Sequence, residues 1–317
     1  VKRRTALALV AGGLLAGCAG VPRRDPDAYL FAYFVKNGED GLHLAGSTDG
    51  YRWEKLGRGS FLQPTVGQSK LMRDPCIVRG ADGLFHMVWT CGWNERSIGY
   101  ASSKDLVTWS AQQLLPVMEH EPTALNAWAP EIAWIAAEQH YLVYWSSTIP
   151  GRFPAGDDVG DGQYNHRIYA TTTRDFVTFT PTALFYDPGF SVIDATMLHA
   201  QGRDWLLVKD ETRHPPKKHL QLAARGPDGR FGAPAAPFTP PGLWTEGPTV
   251  LQVGGATIVY YDAYTAKHYG AMRSLDLVHW EDVTAQMHFP NEGTPQRMRH
   301  GTALAVPAAL LAGLRRG

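Results

Sequence analysis

Cysteine is scarce in this chain, with three in 317 residues, and their positions give no metal-site spacing and no disulfide framework. Net charge is lacking too. Thirty Lys+Arg balance 30 Asp+Glu, so there is no overall basic field of the kind that nucleic-acid binders use, and a neutral substrate is favoured. No long helical periodicity runs through the sequence, which leaves strands to build the fold. Aromatic residues, in contrast, are plentiful: 10 Trp, 13 Tyr and 12 Phe. Most must fill a core, and the remainder offer flat apolar faces of the kind on which sugar rings stack.

The one extended apolar run, Ala6 to Leu15, is too short to span a bilayer comfortably and follows a basic Lys2-Arg3-Arg4. Residues 1–18 therefore read as a processing segment, to be set aside from fold reasoning. It ends in Leu15-Ala16-Gly17-Cys18, which resembles a bacterial lipobox. The resemblance implies that Cys18 is lipidated and becomes the mature N-terminus of an exported lipoprotein, periplasmic or at the cell surface, touching a membrane only through that lipid. A plain secretory signal is the alternative. Residues 19–27 then form a tether and 28–317 a single domain, expected to be a monomer. Its remaining thiols, Cys76 and Cys91, fall in adjacent strands. Export permits a bridge, but that geometry rarely suits one, and two free cysteines are expected.

An internal repeat fixes the architecture. A Ser/Thr-x-Asp-x-x-x-aromatic segment recurs as Ser47-Thr48-Asp49 to Trp53, Ser103-Lys104-Asp105 to Trp109, Thr173-Arg174-Asp175 to Phe179 and Ser274-Leu275-Asp276 to Trp280, with a degenerate Gly226-Pro227-Asp228 to Phe231. Successive Asp residues are 56, 70, 53 and 48 positions apart, a period suited to one four-stranded sheet per repeat. Alternating segments precede each turn: Tyr29–Val35, Leu84–Thr90, Tyr141–Ser147, Trp205–Lys209 and Thr257–Tyr261, then Leu42–Gly46, Ile98–Ala101, Arg167–Thr171, His219–Ala223 and His268–Met272. The expected fold is an all-β, five-bladed β-propeller.

In a propeller the first strand of each blade lines the central channel. Those openings read Arg73-Asp74-Pro75-Cys76, Trp128-Ala129-Pro130-Glu131, Ile193-Asp194-Ala195-Thr196 and Glu246-Gly247-Pro248-Thr249. The first repeat has no such opening, while the C-terminal Arg299-His300-Gly301-Thr302 is one to spare. The last strand should therefore join the N-terminal blade and close the ring, removing open sheet edges. This alignment is expected to bring Asp74, Glu131, Asp194, Glu246 and His300 to equivalent positions at one mouth of the channel. The insertion Pro150–Asn165 and the proline-rich run Ala233–Leu243 are candidates to wall the pocket. Asp157, Asp158 and Asp161 in the insertion lack the rest of a calcium loop and read as a solvated turn.

Carboxylates facing one another across an aromatic cavity suit glycoside hydrolysis, which needs an acid for the leaving oxygen and a base for water. A neighbouring carboxylate is expected to keep the acid protonated by like-charge repulsion. At these residues the chain resembles glycoside hydrolase family 43 over essentially the whole domain, through the order of its Asp-Pro, Trp-Ala-Pro-Glu, Asp and Glu-Gly-Pro openings and a final histidine. The resemblance implies an inverting hydrolase with Asp74 as base, Asp194 as pKa modulator and Glu246 as acid. His300 would sit at the channel floor or near the reacting sugar, where some relatives bind calcium through water; no cofactor is otherwise required. Trp128 is a candidate stacking platform, Trp93 and Trp244 are candidate glycan contacts, and Arg73 and Arg299 could pair with carboxylates or hold sugar hydroxyls. The opening segment Tyr29 to Trp53 departs from the commonest family arrangement, in which the chain starts close to the Asp-Pro motif. It favours arabinofuranosidase-like or galactofuranosidase-like members over plain xylosidases, acting on an oligo- or polysaccharide. Three alternatives stay open: a non-catalytic carbohydrate-binding propeller, a fructosidase-like enzyme suggested by Arg73-Asp74-Pro75, and a phosphorylase using the basic run Arg213 to His219.

Overall fold

The computed structural model describes residues 28–154, 160 and 164–315. Cys18, the tether and the Asp157, Asp158 and Asp161 turn lie outside the described residues. Five sheets follow one another along the chain, and among the described residues four have four strands and one has three. The inner strands are β4 (Arg73–Arg79), β8 (Trp128–Ile135), β12 (Val192–Ala200), β15 (Glu246–Val253) and β19 (Gly301–Val306). Each packs on the next around a ring, and β19 returns to β4. The fold is a five-bladed β-propeller, closed where β19 pairs antiparallel with β1 (Ala28–Tyr33) from Ala28↔Val306 to Tyr33↔Gly301.

The repeated turn works by local chemistry. In its first copy the Ser47 hydroxyl accepts the Asp49 and Gly50 amides, and Asp49 Oδ1 accepts the Tyr51 and Arg52 amides at 2.8 Å each. The copies at Ser103, Thr173 and Ser274 repeat this bonding. Side-chain oxygens thus satisfy amides that the chain reversal leaves unpaired, and the aromatic that follows folds back into the packing between blades. The degenerate copy has a structural counterpart. Its blade keeps three strands, β12, β13 (Arg203–Asp210) and β14 (His219–Ala224), because Ala233–Leu243 passes along the β14 edge instead. Prolines cannot donate to a ladder, and only the Ala235 and Phe238 amides bond back, to Leu222 and Leu220 carbonyls at 2.8 and 3.2 Å. That run covers an edge rather than walling the pocket.

Apolar clusters lie between neighbouring blades, so each sheet buries both faces. The helix α1 (Ala308–Leu314), which the strand periodicities do not announce, inserts Leu311 and Leu314 into the cluster shared by the first two blades. Cys76 and Cys91 are buried and free, as expected. No helix among the described residues is long and apolar enough to cross a membrane.

Candidate active site

The openings of β4, β8, β12 and β15 share one distortion. Pairing with the second strand shifts register between Arg73/Cys76, Trp128/Glu131, Ile193/Thr196 and Glu246/Thr249. Each bulge holds a residue of positive φ: Asp74 at 51°, Ala129 at 46°, Asp194 at 52° and Gly247 at 58°. Three of these four are followed by proline, which suits a position where the ladder is interrupted. The five openings thus align as strings, but the charged residues do not share one row. Asp74 and Asp194 occupy the bulge row, His300 takes the aligned position ahead of β19 without a register shift, Glu246 stands one residue earlier beside Arg73 and Arg299, and Glu131 two residues beyond the bulge. Expecting Asp74, Glu131, Asp194, Glu246 and His300 at equivalent positions is therefore corrected. The bulge re-aims each side chain locally, and a one-residue offset changes its direction.

A cavity of about 410 Å³ opens at this end of the channel, within the range of small-molecule sites, lined by Asp74, Asp194, Glu246, His300, Arg73 and Arg299 among others. His300 Nδ1 lies 3.3 Å from Asp74 Oδ1 and 3.9 Å from Asp194 Oδ2. Burial would discharge this imidazole, but Asp194 and Asp74 outweigh it and raise its pKa to about 9. For Asp74 burial pushes upward, and the hydrogen bond and charge of His300, with Arg73 and the Thr90 hydroxyl at 2.8 Å, bring it down to about 2. Asp74 is thus an ionised carboxylate at neutral pH. Asp194 is pushed the other way, by burial first and then by the charges of Glu246 and Asp74, while its Oδ2 accepts the Gly247 amide at 2.9 Å.

Glu246 is held by two cations. Lys209 Nζ donates to its Oε2 at 3.3 Å and Arg299 to its Oε1 at 3.0 Å. Burial raises its pKa, and Lys209, Arg299 and His300 together more than reverse that. The expectation that a neighbouring carboxylate keeps Glu246 protonated is thus not met in the free site, where Asp194 is the carboxyl pushed upward. The two cations extend into a buried chain of alternating charge. Arg299 and Arg297 share Asp262, and Lys209 shares Glu211 with Lys218 at 2.8 and 2.6 Å. Each buried ion meets an opposite one, which such burial requires.

One wall is aromatic. Trp128 meets Trp93 edge-on at 5.6 Å and packs on Tyr164 and His166 at 4.9 and 4.8 Å. Its indole N–H donates to the Trp93 carbonyl at 2.8 Å. Burial, and then the charges of Lys209 and Lys218, lower the pKa of His166 to about 3, so it is a neutral ring. Trp93 is 45% exposed at the rim.

The family model described as "Probable glycosyl hydrolase domain", of the glycoside hydrolase family 43-related type, matches residues 25–310. The chain belongs to this family. Over 164 residues the domain is 27% identical to an α-L-arabinofuranosidase of Bifidobacterium longum, a match covering 44% of this chain but 15% of that much longer protein. Among solved structures, an α-L-arabinofuranosidase from Lactobacillus brevis superposes with a TM-score of 0.53 at 20% identity, covering 67% of this chain and 72% of that one. A thermostable family-43 glycoside hydrolase gives 0.52 at 16%, covering 67% and 71%. An exo-β-1,3-galactanase from Phanerochaete chrysosporium gives 0.51 at 12%, covering 70% and 50%. These likenesses concern the fold.

Of the residues that the sequence singled out, the domain brings Asp74, Asp194, Glu246, His300, Arg73, Arg299, Trp128 and Trp93 to the cavity. Two stand apart. Glu131 lies beneath it, with Thr196 Oγ1 donating to Glu131 Oε2 at 3.0 Å, and burial raises its pKa to about 7. Trp244 sits one layer back, against Tyr264 at 6.2 Å. From the insertion Pro150–Asn165, Tyr164 lines the cavity, while residues 155–159 and 161–163 lie outside the described residues. The sequence reading missed Lys209, Glu211, His166 and Tyr264, all cavity-lining. Lys209 left one signal, a charged residue closing the apolar run Leu206-Leu207-Val208. A calcium ion beside His300 does not fit these residues, because among the described residues no group of three or more His, Cys, Asp or Glu side chains is arranged to hold a metal ion.

Proposed function

We propose that the domain is a glycoside hydrolase that removes a non-reducing-end furanosyl or xylosyl unit from a polysaccharide with inversion, and that an α-L-arabinofuranoside is its leading substrate. The observation that carries this reading is one cavity holding an ionised carboxylate, Asp74, and a coupled pair, Asp194 and Glu246, beside an aromatic wall. Asp74 takes a proton from a water that attacks the anomeric carbon, while Glu246 gives its proton to the departing glycosidic oxygen. The C–O bond of the glycoside breaks as the new C–O bond to water forms; one proton arrives on Asp74 and another departs from Glu246 with the leaving alcohol. The starting state returns when Asp74 gives its proton to solvent and the Asp194–Glu246 pair takes one up. Asp194 serves as the store. Its raised affinity for a proton, next to a Glu246 kept ionised by Lys209 and Arg299, lets the pair carry one proton between them, and a leaving oxygen arriving at Glu246 draws it across. The substrate preference rests on the arabinofuranosidases among the relatives.

The test is release of nitrophenol from α-L-arabinofuranoside, β-D-galactofuranoside, β-D-xyloside and β-fructofuranoside, with the first product's anomer followed by NMR. The expected outcome is turnover on the arabinofuranoside with the inverted anomer first, and at least a hundredfold loss on poor leaving groups in Glu246→Gln. Retention of configuration, or undiminished turnover of a substrate with a poor leaving group, such as an oligosaccharide, in Glu246→Gln, defeats the assignment. Silence across the panel with sugar binding intact favours a glycan-binding propeller.

A further inference from the structure

Four cationic side chains line the cavity, and three are neutralised by contact: Lys209 by Glu246 and Glu211, Arg299 by Glu246 and Asp262, and His300 by Asp74. Arg73 is the fourth. Among the described residues no carboxylate oxygen lies within 4.0 Å of it, although it is only 8% exposed. Its guanidinium is clamped between the Trp93 and Phe34 rings, with centroids at 4.2 and 4.7 Å. Among the described residues only NH1 is bonded, to the Asn37 side-chain oxygen at 2.8 Å and weakly to its carbonyl at 3.4 Å. Asn37 is fixed in turn by the Trp93 indole N–H at 3.2 Å.

A guanidinium held flat by two rings and pinned at one nitrogen keeps Nε and NH2 preorganised as a fork, the geometry that takes a carboxylate or other oxyanion on two parallel bonds. Asp74 and Glu246 balance its charge through space, but among the described residues no carboxylate takes the fork by direct contact, which leaves its donors open to an anionic ligand. A neutral hydroxyl would use the fork less fully. We propose that Arg73, with Trp93 and Asn37, forms a subsite for an anionic sugar substituent, a uronate carboxylate or a sulfate ester, at the rim of the cavity. The inference deepens the hydrolase reading and rests on it, since the anion would mark the glycan next to the bond being cut. Overall neutrality of the chain favours a largely neutral substrate, and the fork of Arg73 concerns a single substituent of the glycan.

Trp93 packs on Arg73 and reports occupancy by its fluorescence. Titration of the protein with D-galactose, D-galacturonate and galactose 6-sulfate should show the acidic sugars binding about tenfold or more tighter than galactose, with that preference eroded by added salt. Galacturonate or galactose 6-sulfate as the tighter ligand identifies the source of the oxyanion. Arg73→Gln should abolish the preference, and Arg73→Lys, which keeps the charge but loses the fork and better preserves the fold, should retain part of it. Equal affinity for all three sugars, or a preference that survives Arg73→Gln, overturns the subsite alone. If none of the three sugars binds while the fold is intact, the subsite is overturned as well, and the hydrolase reading stands or falls separately on the nitrophenyl glycoside panel.

Discussion

A lysine 1% exposed is tolerated in the fold only because carboxylates meet it, and Lys209 meets both Glu246 and Glu211. Its charge favours the ionised form of Glu246 and also opposes the upward push on Asp194. Removing it disfavours both anions, so both carboxyls hold their proton to higher pH. If this pair supplies the acid, Lys209→Met should move the alkaline limb of the kcat/KM profile upward by about one pH unit, in line with the effect of one close opposite charge. The acid limb, set by Asp74 and its contact with His300, should stay in place. A profile that keeps its alkaline limb would remove Lys209 from the control of the acid; Lys209→Gln, which keeps a donor, offers the same readout with less disturbance of packing.

At the scale of elements, the bulge at the head of β4, β8, β12 and β15 decides where chemistry points, and Gly247 shows how tightly it is built. Its φ is +58°, and a Cβ there would stand 2.4 Å from His300 Cγ. Gly247→Ala therefore adds both backbone strain and a collision with the imidazole, at a cost of about 1–3 kcal/mol. The expected result is a fall in thermal midpoint together with a loss of activity greater than the stability change explains, because His300 must leave Asp74. Unchanged activity would mean that His300 is not held against this bulge. The same element explains what the sequence could and could not reveal. Turns such as Ser103-Lys104-Asp105 are written in local hydrogen-bonding chemistry, so blade number, strand positions and the closing strand were legible. Glu131 was misplaced because its row depends on a bulge register that adjacent residues do not state. Lys209 and Glu211 were missed because their role depends on which second strand the ring sets beside Glu246, a relation between Lys209 on β13 and Glu246 on β15 that no local pattern encodes.

At the scale of the whole molecule, the closing strand is tied to the channel by charge as well as by its ladder with β1. Arg299 and His300 lead into β19, and from there reach Glu246 on β15, Asp74 on β4 and Asp194 on β12. His300 thus joins three blades. Its pKa is raised from the ordinary 6.5 to about 9 in the folded protein, so the folded state binds this proton more tightly than the unfolded chain does. The stability it contributes is fully present below pH 6.5, declines as pH rises from there, and is lost by the time pH passes about 9. Other buried groups also titrate over this range, so the informative quantity is the difference between the wild type and His300→Gln. That difference in unfolding free energy, from urea denaturation at matched pH values, should be greatest near pH 6, of order 3 kcal/mol for a shift of this size, and should shrink steadily towards pH 9. Asp74 gives the opposite limb, since its pKa is depressed to about 2. The stability it adds is present above its ordinary value near 4 and drains away as pH falls through 2. A wild-type-minus-variant difference that stays flat between pH 6 and 9 would show that the imidazolium does not fasten the closing strand, and would leave the β1–β19 ladder to hold the ring shut without it.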